Sequence, residues 1–123
     1  MALKWSGLVQ ESDGEVTQNL ADPGTDGSSG SLIENRYPLG RDHVAAVMAI
    51  RTHLNSLNGE AVVNLLRDGV VEASAPVPPA ATTTSTLLAI PFAAEQDVEV
   101  QVVIQGTSAE PGAVSLTVVV EFD

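Results

Sequence analysis

The feature that most constrains this chain is a two-residue alternation of apolar and polar side chains in its last third. In a β-strand successive side chains point to opposite faces, so this period predicts strands over residues 97–105 and 113–123, each with one buried face. The predicted inward rows are Val98, Val100, Val102 and Ile104 in the first of these strands and Val114, Leu116, Val118, Val120 and Phe122 in the second.

Two other segments favour strands for similar reasons. Residues 2–10 place Leu3, Trp5 and Val9 on one side at the same period, which predicts a strand anchored by Trp5. Residues 82–90 are rich in β-branched side chains, which suit a pleated surface. The chain is therefore predicted to be mainly β.

A hairpin is predicted in the middle of the chain. Residues 61–67 and 70–77 flank Asp68-Gly69, a dipeptide typical of a type I′ turn because both central residues of that turn require positive φ. A helix over residues 60–67, ended by Gly69, is the alternative interpretation.

One α-helix is predicted over about residues 42–58. Asp42 suits its N-cap, and Asn58-Gly59 suits a left-handed end. The helical stripe at three- and four-residue spacing consists of Val44, Val47, Ile50, Leu54 and Leu57.

The segment from Glu11 to Ser31 consists mainly of turn-forming and polar residues, and we expect an extended arm that orders against a neighbouring surface. The expected organisation is an N-terminal strand plus arm over residues 1–40 and a helix and β-sandwich body over 41–123, within a single domain. The predicted fold class is a small antiparallel β-sandwich or jelly-roll-like sheet carrying one helix and the arm.

Charge and composition exclude several classes of function. Sixteen acidic residues against five basic ones give a net charge of -11, which disfavours nucleic acid and anionic membranes as partners. All five bases lie within the first 67 residues, and the absence of cysteine excludes disulfides and thiolate metal sites. Neither a secretory leader pattern nor a membrane-spanning apolar run is found, so we expect the chain to be used in the cytoplasm or in a particle assembled there.

The residues that could carry chemistry form no convincing site. His43 and His53 are ten residues apart, which does not match the four-residue spacing of a helical zinc pair. The acids of the 11–31 segment lack the order of an EF-hand calcium loop. No serine lies in a nucleophile-elbow motif, and no lysine accompanies the glycines and serines at 27–31. We therefore expect no enzyme activity, no cofactor and no metal.

Assembly contacts are the more promising hypothesis. Val103 and Val119 each interrupt an outward polar row, and if their strands are neighbours they form an apolar patch for another subunit. The N-terminal half, which contains all five bases, is expected to dock while the strongly acidic C-terminal half faces solvent. The predicted contact residues are Trp5, Arg36, Tyr37, Arg41, Val103 and Val119.

In overall style the chain resembles small structural proteins of tailed-phage virions, such as capsid decoration proteins, head fibres and neck or tail adaptors. The resemblance lies in the turn-rich arm and in the cysteine-free sheet region 82–123, with its Leu88-Ala-Ile-Pro-Phe92 and Glu110-Pro-Gly-Ala113 segments. It implies a homo-oligomer, often a trimer, that decorates or cements a capsid or joins tail parts, is assembled in the host cytoplasm and needs no cofactor.

Two alternatives remain open at this point. One is a small ligand-binding or carbohydrate-binding β-sandwich, which would present Tyr37 or Phe92 as an exposed aromatic platform. The other is a subunit of a non-viral surface assembly.

Overall fold

The computed structural model describes residues 2–20, 37–38 and 40–123, with only the backbone described at 37–38. Within these residues the secondary structure consists of β-strands, and no helix is present. The strands are β1 (Ala2–Gln10), β2 (Val16–Asn19), β3 (Tyr37–Pro38), β4 (His43–Asn55), β5 (Ala61–Arg67), β6 (Val70–Val77), β7 (Thr83–Phe92), β8 (Asp97–Ile104) and β9 (Ala113–Phe122).

The strands form two antiparallel sheets. The first sheet has the order β1-β9-β4-β7, and the second has the order β2-β8-β5-β6, with β3 also paired to β8. The two C-terminal strands, β8 and β9, therefore belong to different sheets. Consecutive strands pair directly only at the β5–β6 hairpin, so most of the pairing joins distant parts of the sequence.

The core lies between the two sheets, as expected for a β-sandwich. The inward rows predicted for β8 and β9 are all buried, and Trp5 in β1 is completely buried beside them. Trp5 pairs with Val118, which in turn pairs with Ile50 of β4. The prediction of a small, mainly β sandwich is confirmed.

The central hairpin also forms as predicted. Strands β5 and β6 flank a turn in which Asp68 and Gly69 have φ values of 51° and 81°, the left-handed conformation of a type I′ turn. The alternative helix over residues 60–67 is wrong, because that segment pairs with both β6 and β8.

The predicted helix over residues 42–58 is wrong: this segment forms β4, which pairs with β7 and β9. Two irregularities in register, between Ala45 and Val47 and between Thr52 and Leu54, change which side the following side chains face. Apolar residues consequently recur at intervals of two and three, which resembles helical spacing. Asn58-Gly59 ends no helix but belongs to a loop.

Part of the predicted arm is integrated into the sandwich. Within the 11–31 segment, Val16–Asn19 pairs with β8, and Leu20 is completely buried. The strand content of this segment escaped prediction because only four residues pair. Residues 21–31 of the predicted arm lie outside the described residues. No helix in the described part of the chain has the length and apolar character needed to span a membrane.

A buried carboxylate joins three loops at one end of the sandwich. The carboxylate of Glu11 accepts hydrogen bonds from the backbone N–H groups of Asn58, Gly59 and Gly112 at 2.9–3.1 Å, and from the side-chain amide of Asn58 at 2.9 Å. Burial alone would raise the pKa of Glu11, but the hydrogen bonds from these groups outweigh it and lower the pKa below its ordinary value of 4.5. The folded state therefore favours the ionised form.

Replacing Glu11 with Gln should lower the free energy of unfolding at pH 7 by about 2 kcal/mol, because the N–H groups lose a charged acceptor. The folded-state pKa of Glu11 lies below the unfolded value, so its stabilisation is present above about pH 4.5 and is lost as the pH falls through the folded-state pKa. Urea titrations at pH 7 and pH 3 should therefore show a smaller pH effect in E11Q than in the wild type. Equal pH effects would contradict this role, and the exposed Glu60→Gln is the control.

Replacing Trp5 with Ala should lower the free energy of unfolding by about 3–5 kcal/mol, because a large buried side chain is removed from between the sheets. Denaturant titration measures the change. The matched exposed substitution Leu87→Ala should change stability by less than about 0.5 kcal/mol. A loss below about 1 kcal/mol for W5A would contradict the central position of Trp5.

Candidate functional site

The outer face of the first sheet differs in charge from the rest of this acidic protein. Its four strands, β1, β4, β7 and β9, contain a single acidic residue, Glu121. The same strands carry Lys4, Arg51 and His53, all exposed. Most other acids of the described residues lie in the loops at the two ends of the sandwich. The first sheet therefore presents a locally basic face.

An open depression of about 520 Å³ occupies this face; we call it the cationic depression. Cross-strand pairing places Lys4, Val119, Ala49 and Ser85 in one row across the sheet. The next row contains Ser6, Thr117, Arg51 and Thr83. Because Ala49 and Val119 are short and half-buried, they form a low floor between the longer side chains.

The polar groups of the cationic depression are two cationic donors, Lys4 and Arg51, together with His53 and several hydroxyls that can donate or accept. Thr83, Ser85 and Thr117 contribute hydroxyl groups to its lining, and His53 Nε2 lies 3.0 Å from Thr117 Oγ1, a hydrogen bond that orients both side chains. Among the described residues, neither Lys4 nor Arg51 has an ion-pair partner. Arg67, in contrast, lies 2.9 Å from Glu72. The depression is suited to an anionic group.

An exposed apolar strip lies beside the depression on the same face; we call it the apolar ledge. It consists of the exposed Val44 and Leu87 and the half-buried Val47. Val47 pairs directly with Leu87, whose side chain is 85% exposed. A leucine this exposed has no folding role on the outside of a sandwich, so the ledge is a candidate contact surface.

A second, smaller depression lies at the end of the first sheet and is lined in part by Asp42, His43 and Asp123. Both ring nitrogens of His43 already have partners: Nδ1 lies 3.1 Å from the carbonyl oxygen of Asp123, and Nε2 accepts from Arg41 Nε at 3.3 Å. Asp42 accepts a hydrogen bond from the Ala94 N–H. These side chains hold the ends of strands together, and within residues 2–20 and 40–123 no group of three potential metal ligands occurs.

The six predicted assembly residues are not gathered at one place. Trp5 is entirely in the core, so its side chain offers no surface to a partner and its prediction as a contact residue is corrected. Arg36 lies outside the described residues, and for Tyr37 the structure gives only backbone pairing with Val98. Arg41 is exposed just before β4, beside His43.

The two valines that interrupt the polar rows lie on opposite outer faces. Val103 pairs with Val62 on the outside of the second sheet, whereas Val119 forms part of the floor of the cationic depression. They cannot form one patch, because β8 and β9 belong to different sheets. Of the predicted contact residues, Val119 is the one that the structure places in the candidate site.

Sequence reasoning missed Lys4, Arg51, His53 and Leu87 as members of one surface. They come from three strands, β1, β4 and β7, that pair over long distances in sequence. A usable indication was present in the sequence, since segments 2–10, 43–55, 83–92 and 113–122 share the near absence of acids in a chain of net charge -11. The wrong helix prediction hid this shared lack of acids, because it placed residues 43–55 in a helix and not in the same sheet as the other three segments.

Comparison with known proteins gives a fold and no family. No protein-family model and no curated protein matches the chain. Solved structures do match, among them the crystal structure of a protein named FLHE, with a TM-score of 0.51 and 17% sequence identity over 98% of this chain and 94% of that one. The chain is therefore a small antiparallel β-sandwich with the overall fold of FLHE. At this identity the likeness concerns the fold alone.

Replacing Val119 with Thr should change the free energy of unfolding by less than about 0.5 kcal/mol, because the side chain points outward into the depression. The same change at the adjacent Val118, which is completely buried, should cost about 1–3 kcal/mol by placing a hydroxyl in the core. Denaturant titration of both variants tests the assignment of faces. Equal losses would contradict it.

Proposed function

We propose that this chain is a non-enzymatic assembly protein that docks onto protein subunits of a larger structure through the outer face of its first sheet. The observation that carries the proposal is that this face of a strongly acidic protein combines the apolar ledge with Lys4 and Arg51, which have no ion-pair partner among the described residues. Protein surfaces that combine apolar area with complementary charge favour specific contacts, since apolar burial supplies affinity and charge selects the partner.

The size of the face supports this function. Four strands at about 4.8 Å spacing, paired over a length of roughly nine to ten residues, cover about 600 Å². A specific protein–protein interface buries about 800 Å² on each partner. The face thus supplies most of the area of one interface, and the adjoining loops complete it.

The chemistry of the lining favours a protein partner over a carbohydrate. Carbohydrate sites generally present the rings of Trp, Tyr or Phe for stacking, and none of these three residue types lines the cationic depression. Phe92, one of the two aromatic side chains considered for such a platform, is buried against Phe122 with ring centroids 5.8 Å apart. The ledge instead offers branched aliphatic side chains.

Within this function, the tailed-phage virion remains our specific proposal for the larger structure. The protein would decorate a capsid or join tail parts as a homo-oligomer, and it would do so without a cofactor. The sandwich supports this role because its long-range pairing and buried core give a rigid body that can present one face to a particle.

Replacing Leu87 with Asp should weaken attachment to the assembly at least tenfold, because a charge is placed at the centre of the apolar ledge. The measurements are co-sedimentation with purified tailed-phage capsids and tails, and the solution mass by light scattering. Val70→Asp is the matched control, since Val70 is 60% exposed on the second sheet and should tolerate the change.

Two results would contradict the proposal. One is equal attachment of L87D and wild type, and the other is an equal loss in the V70D control. A wild-type monomer that binds no particle but retains a sugar would favour the carbohydrate-binding alternative instead.

A further inference from the structure

We propose that the cationic depression binds carboxylate side chains of an extended acidic segment from a different protein chain. This inference rests on the proposed function and names the chemistry of the partner at one place on the docking face. It concerns the depression lined by Lys4, Arg51 and His53, whereas the docking function is tested at the neighbouring apolar ledge.

The spacing of the two bases suits such a segment. Lys4 and Arg51 lie on strands that flank β9, two strand spacings apart and one side-chain row apart along the strands. With standard sheet dimensions their Cα atoms are about 12 Å apart. In an extended chain, side chains on one face that are four residues apart are separated by about 13 Å. Two acidic residues at positions i and i+4 therefore match the two bases.

The surroundings of the bases suit carboxylates. The hydroxyl of Thr117 lies on β9 between the two bases, and those of Thr83 and Ser85 lie on β7 on the other side of Arg51. Hydroxyl groups can donate hydrogen bonds to carboxylate oxygens. The low floor of Ala49 and Val119 leaves room for the bound chain. No acidic residue lines the depression, so nothing within it repels the ligand.

The neighbouring ledge favours a polypeptide as the source of the carboxylates. An extended peptide that places acids over the depression can place an apolar side chain on Leu87 and Val47, which a polysaccharide cannot do. Two bases are also too few for the phosphate contacts that nucleic-acid binding requires. The remaining occupants to be tested are an acidic glycan and a second copy of this acidic chain.

The test is a titration of the full chain with a fluorescent hexaglutamate peptide, followed by anisotropy. Hexaglutamate should bind and hexaserine should not. Raising the NaCl concentration from 50 to 500 mM should weaken binding at least tenfold, because exposed charge pairs are screened.

Lys4→Ala and Arg51→Ala should each weaken binding about threefold, as expected for exposed ion pairs. Arg41→Ala, which removes the same charge from the end of the sandwich, should leave binding unchanged.

Three results would overturn the inference: unchanged hexaglutamate binding in K4A and R51A, tighter binding of trigalacturonate than of hexaglutamate, or self-association of the chain that K4A and R51A abolish. Unchanged binding in the variants would show that Lys4 and Arg51 do not form the site. Tighter binding of trigalacturonate would indicate an acidic glycan as the ligand, and self-association that the variants abolish would indicate a second copy of the chain. Loss of particle attachment in L87D together with any of these results would leave the docking function standing. If L87D attached to particles normally while hexaglutamate bound as expected, the docking function would be overturned and the carboxylate-binding inference would stand.

Discussion

The burial of two apolar rows between two sheets is the constraint on which the rest of this structure depends. Strands β8 and β9 each place every second side chain in the core, and Trp5 of β1 packs beside them. Because these rows are buried, contacts with other molecules are left to the outer sides of the sheets, their edges and the loops. The candidate site therefore lies on an outer face, and its shape follows from which side chains the strands place outward.

Charge is distributed unevenly as a consequence of the same architecture. The loops at the ends of the sandwich carry most of the acidic residues of the described chain, while the first sheet has one acid among its four strands. Lys4 and Arg51 have no ion-pair partner within the described residues, unlike Arg67. A protein of net charge -11 thus retains a basic surface on its first sheet, and an acidic partner can approach that surface in a defined orientation.

The depression and the ledge have different physical roles on the docking face. The ledge provides apolar area, which stabilises a contact once water is removed. The depression provides charge and hydrogen-bond donors, which select the partner and lose strength with salt. The two roles can be separated experimentally, because Leu87 lies on β7 while Lys4 lies on β1, the opposite margin of the described sheet.

The sequence predicted the strands whose pattern was regular and failed where the pattern was interrupted. β8, β9 and the β5–β6 hairpin follow from strict alternation and from the turn chemistry of Asp68-Gly69. β4 was mistaken for a helix because its register irregularities give the apolar residues a spacing close to that of a helix.

The composition of the candidate site could not be predicted from local patterns. It is assembled by pairing between β1, β9, β4 and β7, which lie far apart in the sequence, so only the correct strand order brings Lys4 and Arg51 to one face. Val119 was identified correctly as an outward apolar exception, but its expected neighbour Val103 lies on the other sheet. Local alternation shows which face of a strand each side chain occupies, but it does not show which strand lies beside it.

The most direct test of the central claim is a residue-by-residue map of where an acidic ligand contacts the protein. Backbone amide chemical shifts recorded by NMR during titration with hexaglutamate provide this map. We expect the shifts to change mainly around Lys4, Arg51, His53 and Thr117 on the first sheet. Changes confined to the second sheet or to the loops at the ends of the sandwich, or no changes at all, would contradict this claim.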